Sequence, residues 1–135
     1  MSKKILAVCA LCLLSLACGA VATLTDNVNI EVGGMINHGP MQPTLEAIKE
    51  VTSKYGDKVA VTWIDTTTDD GQKWLRDHGL SAHLNILING SYKYKLDGKE
   101  VAFQWFEGQY WTKEDLDAVI NDVLSNNGKA VPESS

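Results

Sequence analysis

Three groups of side chains in this 135-residue chain could carry chemistry. The first is thiols: Cys9, Cys12 and Cys18, all within the first eighteen residues. Thiol–disulfide exchange requires a thiolate, and from Gly19 onward the chain has none to offer. The second is the stretch Met35-Ile36-Asn37-His38-Gly39-Pro40-Met41, which sets two thioethers around an imidazole. That soft donor set suits Cu(I). The plainer alternative is that Met35 and Met41 fill gaps beneath a loop and that the imidazole bonds to backbone. The third is Glu31, a carboxylate on an expected interior strand. Burial there is costly unless the group is hydrogen-bonded, so partial exposure or a bond near Gly33 is the plainer reading.

The thiols sit in what reads as an export signal. Lys3 and Lys4 form a positive start, Ile5 to Ala17 an apolar run, and small residues follow. The run is too short for a spanning helix. Two processing routes stand side by side. Ala20-Val21-Ala22 is an A-x-A site that would release residues 1–22 and start the body at Thr23. Leu14-Ser15-Leu16-Ala17-Cys18 resembles the lipobox of bacterial lipoproteins, with residues 1–17 as signal and Cys18 lipidated. It is a loose version, with Ser15 where a leucine is usual. Either route implies export, to a periplasmic, extracellular or lipid-anchored position in the cell envelope. Cys9 and Cys12 read as apolar members of the signal.

Of the 12 basic residues, Lys3 and Lys4 fall in the leader; the other 10 stand against 17 acidic residues, a net charge of −7. Without a basic patch, nucleic acid is excluded as a partner. Anionic lipid surfaces are disfavoured for the same reason, which leaves a lipid at Cys18 as the one route to a membrane. A domain exported to an oxidising compartment without disulfides relies on its core, and roughly 110 residues suffice for one.

The elements that must position these groups are legible as alternation and periodicity. Val28, Ile30 and Val32 predict a strand ended by Gly33 and Gly34. A helix follows over about Pro43 to Lys54, with Leu45, Ile48 and Val51 at helical spacing. Val59 to Asp65 is β-branched and aromatic, a second strand. Thr68 caps a second helix that ends at His78 and Gly79. Leu84 to Ile88 is a third strand. Asp97-Gly98 turns a hairpin, and Asn89-Gly90 is a bulge or a turn of its own. Thr112, with Asp115 three residues on, caps a last helix that buries Leu116, Val119, Ile120 and Val123. Residues 23–127 make one α/β domain with a mixed sheet, a parallel βαβ unit plus an antiparallel hairpin, flanked by helices. Residues 128–135 read as a disordered polar tail.

Other motifs have plain readings. Asp65 to Asp70 lacks the glycine and distal glutamate of a calcium loop and reads as helix capping. Asn89-Gly90-Ser91 matches a glycosylation acceptor but is also a turn. In the aromatic run Gln104 to Trp111, the core claims Trp105 and Trp111, with Phe103 just before it. Tyr110 is the better candidate for a surface anchor.

The element order from Val28 to Leu124 resembles the thioredoxin-like superfamily. Val59-Ala-Val-Thr-Trp-Ile-Asp65 is similar to that family's second-strand segment. Asp77-His-Gly-Leu80 followed by Leu84-Asn-Ile-Leu-Ile-Asn-Gly90 resembles its helix end, apolar strand and Asn-Gly. Gly108 and Trp111-Thr-Lys-Glu-Asp-Leu116 resemble the glycine and capped helix that close the fold. The resemblance implies an active-site loop at Met35 to Met41. His38-Gly39-Pro40-Met41 resembles Cys-Gly-Pro-Cys without its thiols, and an alternative register puts Met35 and His38 at the cysteine positions. It implies a cis-proline near His83-Leu84, where this chain has no proline. It also brings His83 to the same end of the sheet as His38, which extends the candidate copper set to Met35, His38, Met41 and His83. In the family a buried carboxylate on the first strand moves protons for the cysteines; here that role for Glu31 is empty.

The reading is a redox-inactive, exported thioredoxin-like module that binds an envelope protein or peptide and needs no cofactor. The alternatives are a Cu(I) handler using the Met/His loop, or a degenerate relative of thiol–disulfide oxidoreductases. No catalytic residue is assigned.

Overall fold

The computed structural model describes residues 27–81, 83–105 and 111–126. The segment read as an export signal, with Cys18, the anchor candidate Tyr110, Gly108 and residues 128–135 lie outside the described residues. The described chain is mixed α/β. It runs β1 (Val28–Gly34), α1 (Gln42–Ser53), β2 (Val59–Asp65), α2 (Asp69–Asp77), β3 (Leu84–Ile88), β4 (Lys93–Leu96), β5 (Lys99–Ala102) and α3 (Lys113–Ser125).

β1 lies at the centre of the sheet because its alternating β-branched residues can bury a face along its whole length. Val28, Ile30 and Val32 are wholly buried. β2 runs parallel to β1 on one side, with Ile30 opposite Val61. β3 runs antiparallel on the other, with Ile30 opposite Ile88. Gly33 and Gly34 are the last two residues of β1, as the sequence suggests, and both still pair, with Ile64 and Asp65 on one side and with Asn85 and Leu84 on the other. Glycine suits both places because space is short. A Cβ on Gly33 would lie 2.1 Å from the Trp74 ring, and one on Gly34 would lie 3.0 Å from Leu84.

The two faces of the sheet are covered unequally. On the Val28–Ile30–Val32 face, Leu45, Ile48 and Val51 of α1 and Leu116, Val119, Ile120 and Val123 of α3 complete one hydrophobic cluster. Each such side chain contributes roughly 1.5–3 kcal/mol by leaving water. Thr112 and Asp115 form a reciprocal capping box that starts α3 against this core. The other face carries α2. Its cap is Thr68, whose hydroxyl accepts from the Gly71 amide at 3.1 Å. Gly71 is required there, because a Cβ would lie 1.9 Å from the Asp65 carbonyl oxygen. Ala60 and Thr62 of β2 remain exposed.

The lane beside β3 is filled by two short pieces. Ser91 bridges Ile88, and the Ile86 amide donates to the Phe103 carbonyl at 2.9 Å. Between them, β4 and β5 leave the sheet as a separate hairpin turning at Asp97-Gly98. The Tyr94 hydroxyl ties it back to the Ile88 carbonyl. Asn89-Gly90 is a turn of its own, with φ of 47° and 84°, the left-handed pair that a tight hairpin turn demands. Among the described residues, no helix is long and apolar enough to cross a membrane.

Candidate functional site

Three segments meet at the end of the sheet where β1 and β2 finish: the loop 35–41, the turn 65–68 and the approach to β3 at His83. The loop is wound by its own backbone. The Ile36 amide donates to the Gly34 carbonyl at 2.9 Å, the His38 amide to Met35 at 2.9 Å and the Met41 amide to His38 at 3.0 Å. Gly39–Met41 forms a single 3₁₀ turn with Pro40 inside it, and this turn runs directly into α1 at Gln42. The Gln42 side-chain amide closes the loop from below, donating to the Ile36 carbonyl at 2.8 Å. The helix therefore begins one residue before Pro43, where proline's fixed φ and missing N–H suit the first turn.

Asp65 joins this loop to β2. One carboxylate oxygen accepts from the Thr67 hydroxyl at 2.7 Å and the Thr67 amide at 2.9 Å. The other accepts from the Asn37 side-chain amide at 3.0 Å. The two bonds from Thr67, then the one from Asn37, favour the charged form and hold this carboxyl below its ordinary range. The Thr66 amide also donates to the Gly34 carbonyl at 3.0 Å. Asp65 to Asp70 thus serves turn and cap.

His83 arrives at the same end, since β3 opens opposite Gly34. The Gly34 Cβ position lies 3.1 Å from the His83 carbonyl oxygen. The exposed His83 ring packs on Trp105 with centroids 5.3 Å apart. Trp105 has φ of 39°, in the left-handed region. A bulky residue there costs roughly 1–3 kcal/mol. Its amide, which donates to the Leu84 carbonyl at 3.0 Å, helps to hold it. Trp105 is half-buried, whereas Phe103 and Trp111 are core residues as expected. The correction for Trp105 has a physical cause: the lane beside β3 ends at this residue, so its ring rides the rim of the core.

The Met/His group divides. Met41 is 2% exposed and belongs to the hydrophobic core. Met35 is half-buried, and His38 is exposed. Among the described residues, no ring contact joins His38 to His83, and no group of three or more His, Cys, Asp or Glu could hold a metal ion. Leu84, near which the resemblance implies a cis-proline, is fully buried, and no cis peptide occurs among the described residues. Glu31 is half-buried and accepts from the Trp74 indole N–H at 3.0 Å.

At the opposite end of the sheet lies a cleft of about 650 Å³, lined by Asn27, Tyr55, Asp57, Lys58, Asn121 and Leu124, among others. Part of its polar lining, however, is engaged with the fold: the Tyr55 hydroxyl donates to the Asp117 carboxylate at 2.8 Å, and the Asn121 amide donates to the Asp117 carbonyl at 3.0 Å. Burial, then Asp117, pushes the Tyr55 hydroxyl well above its ordinary pKa. The exposed, strained end is the better candidate.

Sequence reasoning missed the strain at Trp105, the Asn37–Asp65 tie and the fit of Trp74 over Gly33. Only the last had a signal: adjacent glycines in a strand point to opposite faces and announce close packing on both. No family model, no curated protein and no solved structure matches this chain.

Proposed function

We propose that this chain is an exported thioredoxin-like domain whose redox site has become a binding surface for a protein or peptide of the cell envelope. The observation that carries this reading is the Met35–Met41, Asp65 and His83–Trp105 end of the sheet. It exposes two imidazoles, one of them against a half-buried indole on a strained backbone, where the resemblance would place a thiol pair. Strained, exposed groups on a rigid frame are a common mark of recognition sites.

The thioredoxin-like assignment draws support from the strand order β2-β1-β3, with β1 parallel to β2 and antiparallel to β3. α1 and α3 share one face with the core, and α2 takes the other. Of the two loop registers, His38–Met41 is the one carried forward, because His38 opens the helical turn that leads into α1. Met41 then stands in the core, and His38 at the exposed first position. With every cysteine in the first eighteen residues, the body has no sulfur that can cycle electrons.

Insulin reduction tests the point. With dithiothreitol as electron source, the purified processed protein precipitates insulin no faster than dithiothreitol alone. Catalysed precipitation would sink the reading.

A further inference from the structure

The outer edge of β2 pairs with no strand among the described residues. Natural strand edges usually carry a lysine, a proline or a bulge that blocks pairing. Val59-Ala60-Val61-Thr62-Trp63-Ile64 carries no charge and no proline, and its pairing with β1 runs without a bulge. Ala60 and Thr62 are exposed, while Val61, Trp63 and Ile64 are only half-buried. The projecting hairpin is protected in the ordinary way, with exposed Lys93, Lys95 and Lys99.

We propose that a second copy of this chain adds to this edge, antiparallel, about a twofold axis through Thr62. The sequence selects the register. Continuous sheet faces require residues of like parity to stand opposite each other, which leaves axes at Val61, Thr62 or Trp63 near the strand centre. An axis at Val61 sets Asp57 against Asp65 of the other copy, twice, a like-charge clash. An axis at Trp63 sets Val61 against Asp65 within the apolar run. An axis at Thr62 moves Asp65 to the end of the pairing, opposite Val59, the first residue of the strand, rather than opposite Val61 near its centre. It pairs Thr62 with itself, Val61 with Trp63 and Ala60 with Ile64. Thr–Thr and aromatic–β-branched pairs are the favoured cross-strand combinations. On the same face, Lys49 Nζ stands 5.7 Å from the Trp63 ring centroid, so the Val61–Trp63 pairs would lie beneath an existing lid. The product is one sheet ordered β3-β1-β2-β2-β1-β3, independent of what the His83 end binds.

Sedimentation of the protein made from the full-length chain tests this. Between about 1 and 100 µM, the range of modest interfaces, the weight-average mass is expected to climb toward twice the monomer. Thr62→Lys sets two cations face to face at an exposed position, so it gives a monomer throughout, with thermal unfolding that matches the wild type at concentrations too low for the wild type to pair. Under mild oxidation Thr62→Cys yields a cross-linked dimer beyond the wild-type background, since opposed Cα atoms lie about 4.5–5.5 Å apart, within disulfide reach. Ala60→Cys does not. A wild-type monomer over the whole range, a dimer indifferent to Thr62→Lys, or cross-linking at Ala60→Cys in preference to Thr62→Cys would each overturn the proposal.

Discussion

The two ends of the central sheet are built from the same strands and solve different problems. At the end where β1 starts, space is plentiful, and part of the polar lining is already paired, with Tyr55 and Asn121 both turned to Asp117. At the end where β1 finishes there is a loop held by successive backbone bonds, a carboxylate with three donors, and an indole kept in a costly backbone conformation against an exposed imidazole. The difference teaches that free volume is a poor guide to function in a small domain. Groups held at a cost, and left facing water, are a better one.

The comparison can be broken most violently at Gly71. Gly71→Ala drives a Cβ into the Asp65 carbonyl, so the α2 start and the 65–68 turn must both move. The expected loss is about 3 kcal/mol or more in denaturant unfolding, and a loss under about 1 kcal/mol would mean that this end is softer than described. Tyr55→Phe probes the other end. It deletes the hydroxyl bonds to Asp117 and should cost about 1 kcal/mol with no effect on partner binding. Trp105→Gly separates strain from structure. Relief of the left-handed backbone offsets the lost ring contact, so stability should stay within about 1 kcal/mol of the wild type while binding at the His83 end falls at least tenfold.

The mildest probe is pH. Asp65 is held below the ordinary carboxylate range by Thr67 and Asn37. The folded state therefore binds its proton less readily than the unfolded state. Its contribution is complete above the ordinary range and disappears as pH falls through the lowered value. Urea midpoints taken down through that window should decline less steeply in Asp65→Asn than in the wild type. Equal slopes would contradict the role given to this carboxylate.

Much of the scaffold was legible before any coordinates, for reasons that are local. Thr112 and Asp115 form a capping box by spacing alone, and Leu116, Val119, Ile120 and Val123 fall on one helical face. Thr68 and Asp97-Gly98 are equally short-range signals. The end of β1 at Gly33 and Gly34 was legible, but the groups that leave no room for a side chain there are distant in sequence: Trp74, forty-one residues away from Gly33, and Leu84 across the sheet. The site was half legible. The thioether–imidazole loop stands out by composition, but no pattern in the sequence announces that Met41 turns into the core. The strain at Trp105 arises where the lane beside β3 runs out, a tertiary circumstance that alternation in Val101–Trp105 conceals.

The most direct measurement is site-specific photocross-linking in cells that express this chain with residues 1–22 in place. A benzophenone side chain replaces His83 in one variant and Asn121, in the opposite cleft, in another. A discrete heavier adduct from position 83, with none from 121, is the predicted result. An adduct from position 121 with none from 83 would place recognition at the wrong end of the sheet and contradict the assignment.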